Sequence, residues 1–286
     1  MSVPGREAMP ESMRVALVIP CFNDGDLVRE AVASVDEPEP VEVVVVDDGS
    51  YDERTIEALR ALESEGTLVV HQANAGPSAA RMAGVRSTTA PYVFCLDADD
   101  LLEQGALGAL ADILDADPGA SFAFGDFRMF GDYNVRIPLP EFDAWTVMFR
   151  DFWGGNAHLF RRSDLLEAGG WTFFDGYEGW DLLMTLAERG KRGVHAGRVV
   201  YARRTHGARR EAASRSRHQE LYAQLKRRHS SLFARKDELR RRHRPSLVKR
   251  VTYPILLGAR PLPMALYGVA SRVKRLYYTV NARYGR

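Results

Sequence analysis

An α/β fold with a mostly parallel central sheet is what this sequence predicts, on three observations. Short apolar runs alternate with amphipathic stretches from Arg14 to Leu96. The runs are rich in β-branched residues, and each leads into a cluster of turn-forming polar residues. Strands alternating with helices of this length build βαβ units, whose strands lie parallel.

Val15 to Ile19 is a first strand, stopped by Pro20. Leu27, Ala31 and Val35 recur at i, i+4 and i+8, the mark of an amphipathic helix entered through Asp24 or Asp26. Val41 to Val46 is β-branched apart from Glu42, as expected of a strand covered on both faces. Ser50 and Glu53 form a capping box for a helix carrying Ile56, Leu59 and Leu62. Thr67 to His71 is a strand, Ser78 to Arg86 a helix and Tyr92 to Leu96 a strand. Beyond Asp100 the alternation loosens. Leu107 to Leu114 is helical, Ser121 to Gly125 strand-like, and 126–160 rich in aromatic residues and glycine. Ser163 caps a short helix ending at Gly169-Gly170, Leu182 to Arg189 is helical, and Val194 to Tyr201 is a last strand.

With 286 residues and 45% hydrophobic content, the chain can bury one large core or a core plus an appendage. The net charge of +1 conceals an asymmetry. Residues 1–200 hold 16 Lys+Arg against 34 Asp+Glu, whereas 201–286 hold 23 against 4. That segregation separates an acidic body from a basic extension. The expected organisation is a polar leader at 1–12, one domain at 13–206 whose halves are 13–100 and 101–206, and a basic helical extension at 207–286. The leader has no apolar stretch of the signal-peptide kind. Cys21 and Cys95 fit neither a disulfide framework nor a zinc site, and read as two thiols in a reducing cytosol.

Ligands of open α/β sheets sit at the carboxyl ends of the strands. Here those ends read Pro20-Cys21-Phe22-Asn23, Asp47-Asp48-Gly49-Ser50, Asn74-Ala75-Gly76 running on to Arg81, and Asp97-Ala98-Asp99-Asp100. Each is ordinary turn chemistry by itself; four in register point to a site. Side chains alternate along an extended backbone, so Asp97 and Asp99 share a face. Two carboxylates there suit a divalent cation that also binds phosphate oxygens.

The series resembles family 2 glycosyltransferases, which have the GT-A fold, and the likeness runs over about residues 13–206. It implies a single Rossmann-like nucleotide-diphospho-sugar transferase domain. By that resemblance Asp47 and Asp48 meet a uracil N–H and ribose hydroxyls, the other reading being that they only cap the following helix. Pro20 and Phe22 wall the base, with core packing the alternative for Phe22. Asn74 and Arg81 line the diphosphate, although Arg81 serves equally as an ion-pair partner for an aspartate. Asp97 contacts ribose and metal, Asp99 ligates a Mg2+ or Mn2+ ion, and His206 reaches the metal or the diphosphate.

The same resemblance places acceptor-side residues at Gly155, Asn156 and Trp180, and a carboxylate base in Gly176-Tyr177-Glu178-Gly179-Trp180-Asp181. Related enzymes often read Glu-Asp-Trp-Asp there, with the Asp after Glu as base; this chain has Gly179 instead. Either Asp181 or Glu178 then takes the role, since residues three apart share a helical face, or the base lies elsewhere, or the enzyme is impaired. Asp181 is the favoured one.

In 207–245, Leu221, Leu225, Leu232 and Leu239 are spaced among runs such as Lys226-Arg227-Arg228 and Arg240-Arg241-Arg242, a basic amphipathic helical pattern. A solvated face and an anionic membrane surface both account for it; no aromatic-basic motif points to nucleic acid. Val251 to Val273 is apolar but broken by Pro254, Arg260, Pro261 and Pro263, so it is expected to lie in a membrane interface rather than span it. The expectation is a cytoplasmic enzyme, peripheral on the inner face of the cell membrane. It would transfer one sugar, with inversion, from a nucleotide diphosphate sugar (UDP favoured) to a glycan or lipid-linked acceptor. The rivals are a non-catalytic sugar-nucleotide-binding member, which Gly179 keeps open, and a sugar nucleotidyltransferase, against which the acidic loop Asn23-Asp24-Gly25-Asp26 speaks.

Overall fold

The computed structural model describes residues 13–131, 134–151, 156–172, 176–205 and 217–256. Its first half alternates as the periodicity requires: β1 (Val15–Cys21), α1 (Leu27–Ala33), β2 (Val41–Asp47), α2 (Glu53–Ser64), β3 (Leu68–His71), α3 (Pro77–Ser87) and β4 (Tyr92–Cys95). β2 and β4 flank β1, and β3 flanks β2, all in parallel register. Leu17, Ile19, Val44, Val46 and Phe94 are wholly buried between helical layers, which explains their unbroken apolar runs.

The second half completes the sheet. It contains β5 (Leu101–Leu102), α4 (Ala106–Ala116), β6 (Ala120–Gly131), β7 (Val135–Ile137), α5 (Ala144–Val147), β8 (Leu159–Arg161), α6 (Arg162–Ala168), α7 (Glu178–Glu188) and β9 (Arg192–Thr205). Among the described residues the strand order is β3-β2-β1-β4-β8-β6-β9-β5, with β7 on β6. β8 runs antiparallel to both β4 and β6, while β6 and β9 are parallel over a long stretch that brings the end of β9 back to the mouth of β4. The fold is mixed α/β with a mostly parallel sheet.

Several local expectations change. Asp52, not Ser50, caps α2, its carboxylate accepting from Thr55 N at 3.0 Å. Ser50 is engaged elsewhere, accepting from Asn23 N. Ser163 lies inside α6, whose N-cap is Arg161. α7 starts at Glu178, before the apolar positions begin, because Glu178 and Asp181 suit the positive end of the helix. The aromatic stretch carries β7, α5 and β8, elements too short for their period to show.

The basic segment does not stand off the body. α8 (His218–Arg228), α9 (Ser230–Ala234) and α10 (Lys236–His243) pack on it, followed by α11 (Leu247–Leu256). Leu221, Tyr222, Leu225, Leu232 and Leu239 are buried in the common core. Tyr222 donates to the Met148 carbonyl at 2.8 Å. Each such burial contributes roughly 1.5–3 kcal/mol, so the leucine stripe faces α5 and α7 and the arginines are left outward. Among the described residues no helix is long and apolar enough to cross a membrane.

Candidate active site

The carboxyl ends of β1 to β4 open onto one cleft of about 460 Å³, within the size range of small-ligand sites. Pro20, Phe22, Asp48, Asn74, Arg81, Asp97 and Asp99 all line it, as the strand-end motifs anticipate. Asp24 and Arg203 line it too, and neither was singled out by sequence. Phe22 is 41% exposed, so it is a wall rather than core. Its ring meets Tyr51 edge to face at 5.9 Å, and Tyr51 extends the apolar rim. An exposed aromatic directly after the Asp-Asp-Gly-Ser turn was the available signal for it.

Two aspartates beside the turn have different duties. Asp47 is not among the lining residues; its Oδ1 accepts from Ser50 N at 2.9 Å and its Oδ2 meets His71 Nδ1 at 2.9 Å. Burial would raise its pKa, but the bonds from Ser50 and His71 outweigh that and hold it below the usual carboxylate value. Asp48 accepts from Gln72 Nε2, Ala75 N and Gly76 N at 2.7–2.8 Å, clasping the β3–α3 loop to β2. Neither caps α2. Gly49 is required between this turn and that loop: its φ is +77° and a Cβ would lie 2.8 Å from Asn74 N. Asn23, left-handed at φ 56°, ties the first loop to the second by accepting from Tyr51 N and Asp52 N.

At the cleft wall Arg81 Nη2 donates to Asp97 Oδ1 at 2.7 Å. The guanidinium is only 4% exposed, yet its Nε and Nη1 have no hydrogen-bond partner. Burial opposes its charge; Asp97 and Glu178, with negative charges nearby, more than restore it and raise its pKa. Its face lies 6.0 Å from the Trp171 ring. Gly84, one turn further along α3, has no room for a Cβ between Val18 and Val46. That close approach of helix to sheet brings Arg81 to the strand ends. The ion-pair reading and the site reading of Arg81 therefore describe one group, because the aspartate it pairs with belongs to the site.

The opposite wall is acidic. Asp24 accepts from Phe22 N at 2.8 Å, and burial together with the charges of Asp99 and Asp97 pushes its pKa up to about 6. Asp100 is buried and raised well above the carboxylate range, by desolvation first and then by the same two neighbours. It accepts from Arg204 N at 2.9 Å, while Arg204 Nε donates to the Asp99 carbonyl at 3.0 Å. The end of β9 is thereby fastened to the acidic loop, which sets Arg203 in the cleft. Cys21 and Cys95 are buried free thiols, both pushed up to about 12 mainly by desolvation.

Among the described residues no three His, Cys, Asp or Glu side chains converge closely enough to hold a metal by themselves. Hard carboxylate oxygens on Asp97 and Asp99 nevertheless fit Mg2+ or Mn2+, since such ions commonly take one or two carboxylates and complete their shell with substrate phosphates and water. The mutual repulsion seen at Asp24 is what a cation there relieves.

On the acceptor half the two nominated carboxylates part. Glu178 opens α7, is 7% exposed, and its charge acts on Arg81. Asp181 is covered: its Oδ1 lies 2.9 Å from His229 Nε2 and 2.8 Å from Arg228 Nε. The expectation that both look into one cleft fails: neither lines it, and the end of α8 and the start of α9 seal the side of α7 on which Asp181 lies. Trp180 is likewise interior, donating from Nε1 to the Val147 carbonyl at 2.6 Å and packing against Tyr222, so it does not offer a face to a sugar. Asn156 is half-buried and its Oδ1 has no hydrogen-bond partner. His158 stacks on Phe124 and Phe160 in the core. Gly155 and His206 lie outside the described residues.

The model of glycosyl transferase family 2 matches residues 16–170. Among curated relatives, the succinoglycan biosynthesis protein ExoU of Rhizobium meliloti is 41% identical over 99 residues, 34% of this chain and 29% of that one. S. aureus TarS 1–349, solved in complex with UDP-GlcNAc, is similar with a TM-score of 0.59 at 18% identity, over 70% of this chain and 61% of that one. The mannosyltransferase PcManGT of Pyrobaculum calidifontis, solved in complex with GDP-Man and Mn2+, gives 0.54 at 20%, over 73% and 61%. Such identities show the fold, which is GT-A. The chain spans less than two thirds of the length of each of these proteins.

Proposed function

This chain belongs to glycosyl transferase family 2, and from that premise we propose that it transfers one sugar from a nucleoside diphosphate sugar, UDP favoured, to a hydroxyl of a glycan or lipid-linked acceptor. The observation that carries the reading is Arg81. A buried guanidinium with two unpartnered N–H sites in a cleft wall suits an anion that would accept from them, because an unmade hydrogen bond on a buried group is costly. A diphosphate fits. Phe22 and Tyr51 supply an aromatic edge for a base, and the complexes of TarS with UDP-GlcNAc and of PcManGT with GDP-Man support a donor of this class.

Glu178 is the base in this reading. It takes the proton of the acceptor hydroxyl as that oxygen bonds to the anomeric carbon from the side opposite the diphosphate, whose C–O bond breaks; the configuration inverts. The His229 and Arg228 partners of Asp181 argue against that duty for it. Arg81 meets the negative charge that grows on the leaving diphosphate. Asp97 and Asp99 would hold Mg2+ or Mn2+, which when bound neutralises that charge further. Asn156, whose buried Oδ1 lacks a hydrogen-bond partner, would suit a hydroxyl donor. No Gln-x-x-Arg-Trp motif is present, in keeping with addition of a single sugar. A peripheral location on the inner membrane face belongs to the same reading.

Gly179, in the place where relatives carry an Asp, favours one second reading, a member that binds donor without turning it over. Release of nucleoside diphosphate, measured over donors and acceptors with and without Mn2+, decides between them. Acceptor-dependent release that disappears in Asp99→Ala supports transfer. Donor binding without release under any condition supports the second reading, and pyrophosphate release from a nucleoside triphosphate and a sugar phosphate overturns both.

A further inference from the structure

Among the described residues, α11 presents an apolar face that is left exposed. Leu247, Val248 and Val251 are 74%, 69% and 54% exposed. At 100° per residue they fall within roughly 100° of arc. Tyr253 falls roughly opposite, and it is the residue that anchors the helix, stacking on Trp145 at 6.2 Å and accepting from Arg150 Nη1 at 3.2 Å. The apolar arc thus points directly away from the body. Arg250 on α11 and Arg240, Arg241, Arg242 and Arg244, which precede it in the chain, are exposed, Arg240 lying 3.3 Å from Asp237.

We propose that this face of α11, together with the exposed arginines of residues 240–250, docks on an anionic lipid bilayer. Charge complementarity selects the occupant. From Leu239 to Arg286 the chain has twelve Lys or Arg and not one Asp or Glu, so a partner must be apolar in its interior and negative at its surface. A second copy of this chain would oppose the same basic rim to itself across a twofold axis, as an isologous contact demands. An anionic bilayer meets both requirements: its acyl region takes leucine and valine while its headgroups take the arginines. The described part of α11 has 10 residues, and Pro254, Arg260, Pro261 and Pro263 interrupt the apolar sequence there and beyond, which suits a segment lying in the interface plane.

The docking surface also has a direction. α10 packs on α5, and α5 packs on α7, whose first residue is Glu178. The bilayer therefore meets the acceptor half of the molecule. This deepens the lipid-linked acceptor reading and rests on it only for that consequence; docking itself requires no turnover.

The full-length protein is sedimented with vesicles of phosphatidylcholine alone or with added phosphatidylglycerol, alongside Leu247→Ser/Val248→Ser/Val251→Ser and Arg240→Glu/Arg241→Glu/Arg242→Glu variants. Wild type is expected to pellet with the anionic vesicles only, and each triple variant to bind at least about 10-fold more weakly. Melting temperature and diphosphate release with a soluble acceptor are expected to stay at the wild-type level. Serine-variant binding equal to wild type overturns the proposal. So does a wild-type dimer that the serine substitutions convert to monomer, which assigns the face to a second copy, and so does wild type that ignores both vesicles. A protein that pellets but never releases diphosphate fails the transfer reading alone; one that turns over but never pellets fails this proposal alone.

Discussion

Replacing Asp181 with asparagine separates a structural carboxylate from a catalytic one. Asp181 and His229 side chains are 1% and 2% exposed. His229 bridges two acids, with Nε2 on Asp181 and Nδ1 on Glu188, both at 2.9 Å. Glu188 in turn accepts from Ser231 Oγ and Leu232 N, so the cluster buckles α7 to α8 and α9. The amide keeps the shape and one acceptor but removes the charge. Removing one member of a buried pair costs about 3–5 kcal/mol, and a bond to a charged group about 1.5–3. Arg228 is half exposed and adds little. A loss of about 2–4 kcal/mol follows, or roughly 5–15 °C in Tm. Burial alone would lower the pKa of His229, but its two carboxylate partners raise it above 6.5. Its stabilising contribution is therefore complete below 6.5 and is lost as pH climbs through the raised value. The Asp181→Asn penalty is thus expected to be larger at about pH 6 than at about pH 9. Circular-dichroism melts of both proteins at the two pH values measure it. Should the variant melt with wild type at both while transfer drops by about 10²–10⁴, Asp181 is the base and the reasoning is refuted.

Glu178→Gln is expected to do the reverse: kcat falls by about 10²–10⁴ with donor Kd near wild type, and steady-state kinetics with donor calorimetry check both. Arg81→Lys loses the fork that reaches Asp97 and, in the proposed reading, the diphosphate, so donor affinity is expected to weaken by about 10-fold or more; unchanged calorimetric Kd would show that the unpartnered N–H sites bind no donor. Gly84→Ala forces α3 off the Val18–Val46 surface, and is expected to cost about 1–3 kcal/mol in chemical denaturation. An undiminished midpoint would mean that the helix is not seated by that contact.

The βαβ half was legible because its signals are local. Valine runs, helical spacing and strand-end turns each belong to a few neighbouring residues, and parallel topology then carries Pro20, Asp48, Asn74, Arg81, Asp97 and Asp99 to one cleft. The family could be recognised from the same four turns. What sequence could not show is which atoms face which. Asp47 and Asp48 read as a matched pair, yet His71 and Ser50 claim one, while the other clasps a loop before meeting any ligand. Arg203 belongs to the site through the return of β9 to the acidic loop, a contact between residues about a hundred positions apart, while Asp24 sits in the loop after β1, held by Phe22 N.

Composition by itself determined that an acidic body carries a basic, leucine-spaced tail, and the strand-end motifs determined where a cleft would form. Only the tertiary structure decided that the leucines of α8 to α10 close over α7, sealing Asp181 and Trp180 while leaving Glu178 beside Arg81. The physical reason is that a helical stripe specifies an apolar face but not its partner. The partner is chosen by the packing that removes most surface from water.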